Sequence, residues 1–171
     1  LVEKIVCSDE VFFVCVFKEA PGISLSKESD YTKDRVLKWG NLIGDLHRAT
    51  LKYNPSKGII RRDQWNEDNN YQFIKTLCGK SDKFYSKFLL LEKILNKRSK
   101  DQYNLIHADL HDGNFFVDKN NEITAIDFDD CHYNWFLYDL AVPLFSMDLS
   151  YRFKKLFSKE KLFELSEWLI E

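Results

Sequence analysis

The chain has 171 residues, 25 basic and 27 acidic, and a formal net charge of −2, enough length for one domain or lobe with a buried core. That balance gives no electrostatic reason to expect nucleic acid or an anionic membrane as a partner, and no apolar run approaches the roughly 18 residues that cross a bilayer. Four cysteines (Cys7, Cys15, Cys78, Cys131) lack Cys-x-x-Cys spacing, which points to a reducing cytoplasm and away from a disulfide framework or a structural zinc site.

Residues 3–7 and 11–17 read as two strands joined by Ser8-Asp9-Glu10. Val11 to Phe17 is almost wholly apolar, the composition of a strand covered on both faces. Pro21 and Gly22 then break the pattern. Asp30 or Thr32 is placed to cap a helix running to about Tyr53, whose Val36, Trp39, Ile43, Leu46 and Thr50 share one face. Gly40 and Gly44 beside that face invite close helix packing. The stretch from Ile59 to Asn70 is polar and irregular. Helical spacing resumes at Phe73 and Leu77, and after Gly79 a helix is predicted from about Asp82 to Lys97. Its apolar face is Phe84, Phe88, Leu91 and Leu95, with Lys97, Arg98 and Lys100 at its C-terminal end. Residues 131–138 read as a loop and Asp139 as the N-cap of a helix in which Pro143 suits only the first turn. A last helix, Lys159 to Ile170, stripes Leu162, Leu165, Trp168 and Leu169.

The chemistry concentrates in residues 103–130. Apolar Leu105 and Ile106 deliver a polar loop holding His107, Asp109, His111, Asp112 and Asn114, and Phe115 to Val117 leads out of it. Lys119, Asn120 and Asn121 reverse the chain into Ile123 to Ile126, which ends on Asp127. Such a hairpin brings Asn114 and Asp127 together with Asp109 nearby, a setting for a hard cation.

The spacing His-x-Asp-x-x-x-x-Asn (His107, Asp109, Asn114), Asp127 in Ile126-Asp127-Phe128-Asp129-Asp130, and then Tyr138-Asp139-Leu140-Ala141 follow one another in order. Together they resemble the aminoglycoside phosphotransferase and choline kinase superfamily, of protein-kinase-like fold, whose loop typically reads His-Gly-Asp-x-His-x-Gly-Asn; here Ala108 replaces the first glycine. The resemblance spans roughly residues 3–150 and implies an α+β fold. This is a protein-kinase-like C-lobe, mainly helical with a catalytic-loop β-hairpin, over residues 23–171, preceded by a residual N-lobe hairpin and hinge over residues 1–22.

It further implies an ATP- and Mg2+-dependent phosphotransferase that moves the γ-phosphoryl group to a hydroxyl of a small-molecule acceptor of aminoglycoside or amino-alcohol type. Asp109 is then the catalytic base, and Asn114 and Asp127 hold the metal with Asp129 a further candidate. His107 orients the loop, His111 faces the phosphate or braces the loop, and Asp139 braces it from the following helix. Phe17 guards the adenine pocket, and the Lys18 carbonyl and Ala20 amide bond adenine. His47 is expected to be a packed or hydrogen-bonded helix residue, and Asp112 and Asp118 solvated turn residues.

The glycine-rich loop, phosphate-binding lysine and partner glutamate of the N-lobe are not among these residues, and the chain starts at Leu1 rather than Met. Both read as a fragment that needs the missing N-lobe for activity. The acceptor stays open. Asp63, Glu67, Asp68, Asp129 and Asp130, with Trp65, Tyr133 and Trp135, suit a cation, whereas Arg61 and Arg62 suit an anion. Two other classes also stay open: a metal-dependent hydrolase using His107, Asp109 and His111 with His132, and a non-catalytic kinase-like binding module.

Overall fold

Strand-forming sequence at the start of the chain makes an isolated ribbon. In the computed structural model, which describes residues 2–8, 10–58, 61–67, 69–77, 83–97, 99 and 101–171, β1 (Val2–Cys7) pairs antiparallel with β2 (Glu10–Cys15). The expected cover on both faces is absent among the described residues: every residue of both strands is exposed. Of the residues singled out above, Leu1, Asp9, Ile59, Asp68, Cys78, Gly79, Asp82, Arg98 and Lys100 lie outside the described set.

The core begins at α1 (Lys33–Leu51). Thr32, not Asp30, is its N-cap, with Oγ1 accepting from the Arg35 amide at 3.4 Å. Asp30 instead accepts from the amides of Ser26 and Lys27, both at 3.1 Å, and closes the preceding turn. The expected face is the buried one: Val36, Trp39 and Ile43 pack with Leu110, Phe115 and Val117, and with Leu165 and Leu169 from α5 (Lys159–Ile170). Of the two glycines beside that face only Gly40 is used for contact, since a Cβ there would lie 2.2 Å from the Leu169 carbonyl oxygen.

Helix α2 (Asn69–Leu77) carries Phe73 and Leu77, where helical spacing resumes, and α3 (Lys83–Leu95) runs close to its predicted extent. The predicted apolar face of α3 is not buried: Phe84 and Leu91 are exposed and only Phe88 and Leu95 are half-covered. β3 (Tyr103–Ile106) leads into the polar loop, and β4 (Phe115–Val117) pairs with β5 (Ile123–Ala125) as the predicted hairpin. Two expectations then fail. Residues 132–135 are not loop but a strand, β6 (His132–Trp135), antiparallel to β3. Helix α4 (Phe136–Leu149) starts ahead of Asp139, so Asp139 sits within its first turn and Pro143 inside the helix. Its missing N–H leaves the Asp139 carbonyl without a helical donor.

Candidate active site

The two ribbons place two loops side by side. β3 and β4 flank the loop 107–114, and β5 and β6 flank 126–131. The Ile126 amide donates to the Asn114 carbonyl at 2.9 Å, and His107 Nε2 lies 3.0 Å from the Ile126 carbonyl oxygen. Asn114 therefore lies against the residue that precedes Asp127. Asp127 is exposed and has φ +61°, in the left-handed region that aspartate enters more readily than most L-residues.

Asp109 and Asn114 meet directly. Asn114 is buried, and its Nδ2 donates at 2.8 Å both to Asp109 Oδ2 and to the Asp109 carbonyl. Spending the amide NH2 in this way leaves Oδ1 as the group's remaining polar atom, a hard donor of the same kind as the Asp127 carboxylate. An oxygen-only pair of this sort suits Mg2+ or Ca2+ completed by phosphate and water oxygens. The Asp109 side chain is 39% exposed, open enough to meet a substrate. His111 Nδ1 accepts from the Gly113 amide at 2.9 Å, and its Nε2 stands 3.7 Å from Asp109 Oδ2.

The loop is held from below. Asp139, fully buried, accepts from the amides of His107 at 3.2 Å and Ala108 at 2.7 Å, and pairs with His47 Nε2 at 2.9 Å. Its carboxylate points at the loop and does not cap its own helix. His47 stacks flat on Phe136, ring centroids 4.1 Å apart. Ala108 stands where related loops carry glycine and adopts φ +69°. Trp39 Nε1 donates to the Leu110 carbonyl at 3.2 Å. Asp112 is not a solvated turn residue: Tyr31 and Ser146 both donate to its carboxylate. Asp118 does sit in its turn, where the Glu122 and Asn120 amides hold its carboxyl below the usual range.

The irregular segment 61–67 docks onto β6, through Trp65 amide to Tyr133 carbonyl and Tyr133 amide to Asp63 carbonyl, both 2.8 Å. That docking carries Arg61, Arg62 and Asp63 to the rim of a cavity of about 650 Å³ whose walls include Asp109, Asp129 and Asp130. Arg62 Nη1 donates to the Asp129 carbonyl at 2.7 Å, and Arg61 pairs with Glu67 at 2.9 Å, which takes Glu67 away from the cavity. Cys131 lines the same cavity, and burial pushes its thiol up to about 11. Trp65 is buried, edge-on to Tyr71 and Trp135, and these three rings line a different cavity from the one that holds Asp109. Phe17 and Lys18 are exposed and Ala20 half-buried, on the irregular segment that leaves β2.

Two of the histidines named for a hydrolase site are engaged elsewhere. His107 is turned to the Ile126 carbonyl, and His132 is spent on the Asp130 carbonyl and Asn134. Among the described residues no group of three His, Cys, Asp or Glu is arranged to hold a metal. No helix among them is long and apolar enough to cross a membrane.

The chain is 34% identical over 138 residues to amicoumacin kinase of Bacillus subtilis (strain 168), an alignment covering 80% of this chain and 40% of that protein. Among solved structures it is similar to amicoumacin kinase hAmiN in complex with AMP-PNP, Ca2+ and Ami, with TM-score 0.79, 31% identity, and coverage of 99% of this chain and 51% of that one. A microcompartment-associated aminopropanol kinase shares the fold at TM-score 0.62 and 22% identity, over 99% of this chain and 56% of its own. The chain thus spans about half the length, or less, of these relatives, and the expected kinase-like α+β fold is borne out. The sequence profile of the phosphotransferase enzyme family (APH) matches residues 3–161, and it is to this family that the chain belongs.

Proposed function

We propose that these residues form the catalytic-loop half of an ATP-dependent phosphotransferase that moves the γ-phosphoryl group to a hydroxyl of a small-molecule acceptor. The observation that supports this reading is the Asp109–Asn114 pair at 2.8 Å, together with the Ile126–Asn114 backbone bond that sets the residue before Asp127 against Asn114. Asp109 is the catalytic residue: it accepts or orients the proton of the attacking hydroxyl. Asn114 and Asp127 would hold Mg2+, with Asp129 as a further contact, and the ion would neutralise phosphate charge when bound. His107 orients the loop by bonding the Ile126 carbonyl, Asp139 braces it through two amides, and His111 stands beside Asp109. Phe17 borders the adenine pocket, and the Lys18 carbonyl and Ala20 amide bond the base.

In this reading residues 1–22 are the end of the N-lobe and the hinge, and residues 23–171 the C-lobe. Activity belongs to a protein of the relatives' length, because the glycine-rich loop and phosphate-binding lysine are not among these 171 residues. The cytoplasm, where ATP is supplied and cysteines stay reduced, is the compartment this reading takes for the reaction. A cationic amino alcohol is the favoured acceptor class. Carboxylates of Asp63, Asp109, Asp129 and Asp130 wall the cavity, while Arg61 is already paired and Arg62 is bonded to a carbonyl. Amicoumacin is the first acceptor to try, on the strength of the similarity to the kinase of that name.

The test is ADP release by a protein of that length with ATP, Mg2+, and amicoumacin or a panel of amino alcohols. Asp109→Asn should lower turnover by roughly 10²- to 10⁴-fold, the usual contribution of a positioned base. Undiminished turnover in that variant would falsify the assignment.

A further inference from the structure

An aspartate in a loop turn ordinarily faces water, yet both oxygens of Asp112 are engaged from inside the protein. Tyr31 Oη donates to Oδ2 at 2.5 Å, and Ser146 Oγ donates to Oδ1 at 2.8 Å. Tyr31 is 2% exposed, with its ring edge-on to Phe157 at 4.8 Å. Burial, and then the neighbouring carboxylate, hold its phenol proton far above the ordinary range, so the hydroxyl is a permanent donor.

The place of Asp112 in the loop gives these bonds their consequence. The Asn114 amide donates to the His111 carbonyl at 3.0 Å, so residues 111–114 form a closed turn with Asp112 as its second residue and Asn114 as its last. Holding the Asp112 carboxylate therefore fixes the turn that presents Asn114 Nδ2 to Asp109. The earlier half of the loop is held by other means: Asp139 grips the amides of residues 107 and 108, and Trp39 grips the carbonyl of residue 110.

Tyr31 also lies on the stretch that follows residues 18–20, and that stretch meets the catalytic hairpin at a second point. Ile23 and Val117 exchange backbone bonds of 3.0 and 2.9 Å, an approach open to Gly22 because a Cβ there would fall 2.0 Å from the Val117 carbonyl oxygen.

We propose that Tyr31 and Ser146, acting through Asp112, are positioning residues that lock the 111–114 turn and so hold Asn114 against Asp109. This rests on the phosphotransferase reading for its effect on turnover but not for its effect on the loop, and two readouts separate them. In a protein of the relatives' length, Tyr31→Phe should speed hydrogen exchange of the Gly113 and Asn114 amides by about tenfold, the opening expected from one lost hydrogen bond. Exchange in residues 123–125 should stay unchanged. With ATP, Mg2+ and amicoumacin, the same variant should lower kcat roughly tenfold while KM for ATP stays within about twofold, as for other losses of a partner that orients an active group.

Ser146→Ala should act in the same direction on both readouts. Asp112→Asn keeps an acceptor for Tyr31 and turns its NH2 to the Ser146 oxygen, so it should recover kcat to within about threefold of wild type, where Asp112→Ala does not. Should Asp112→Ala fail to fold, Tyr31→Phe and Ser146→Ala each remove a single oxygen and decide the matter. Unchanged exchange at residues 113 and 114 overturns the proposal. So does faster exchange without a fall in kcat, or a fall confined to KM or to the folded fraction. If the wild-type protein releases no ADP with any acceptor, the phosphotransferase reading fails, and exchange at residues 113 and 114 still decides whether the turn is locked.

Discussion

Replacing Asp139 by alanine removes one buried carboxylate and strands three donors at once. The His107 and Ala108 amides lose acceptors at 3.2 and 2.7 Å, and His47 loses its partner at 2.9 Å in a site with no solvent at the carboxylate. Each stranded buried donor costs about 1–3 kcal/mol, so three of them together put the expected loss at about 3 kcal/mol or more. That is a large share of the roughly 5–15 kcal/mol that keeps a domain folded.

Asp139→Asn should lose less, about 1–3 kcal/mol, because one acceptor oxygen remains while the NH2 faces a donor. Urea unfolding of a protein of the relatives' length measures both, read from the midpoint at constant slope. A double-mutant cycle with His47→Ala should return a coupling of about 1–2 kcal/mol, since the two side chains touch. A loss under about 1 kcal/mol for Asp139→Ala at unchanged slope would refute the reasoning, because it would mean the loop amides find water or another acceptor at no cost.

Ala108 sits at φ +69°, where an L-residue pays about 1–2 kcal/mol, so Ala108→Gly should be neutral or stabilising by up to about 1 kcal/mol in the same unfolding assay. Gly22→Ala has the opposite sign: φ is +108° and the Val117 backbone lies within 2.0 Å of the added carbon, so a loss above about 2 kcal/mol is expected. Gly40→Ala pushes α1 off the Leu169 carbonyl and should cost about 1–3 kcal/mol, seen as a lower Tm.

The thiol of Cys131, raised to about 11 by burial, favours the folded state fully below the unfolded value near 9 and progressively less as pH rises toward 11. Its alkylation by iodoacetamide should therefore be slow at pH 8 and accelerate only toward pH 11, as mass spectrometry of the modified peptide would report.

The geometry of the candidate site was legible in the sequence because its residues are close along the chain. Asp109 and Asn114 are five residues apart in one loop, and a short hairpin with a polar turn is enough to return Ile126, the residue before Asp127, to Asn114. The buried face of α1 was legible for the same reason, since a helical period repeats within a few residues. What the sequence could not state are contacts whose partners lie far along the chain. Asp112 reads as a turn residue by type, and its donor Tyr31 lies 81 residues away. A buried tyrosine signals that its hydroxyl needs a partner, but nothing local says which.

β6 has no alternation to announce it, because His132–Trp135 is paired by β3 some thirty residues earlier and covered by the docked 61–67 segment. The same pairing moves the start of α4 ahead of Asp139 and frees that carboxylate for the loop. The apolar ribbon β1–β2 is the converse case: its composition calls for cover, and among the described residues none is supplied. Sequence by itself determined which groups are present and their order, because backbone period and motif spacing are short-range properties. Only tertiary structure decided which buried donors each carboxylate answers, because burial makes an unpaired polar group costly and the partner can come from any part of the chain.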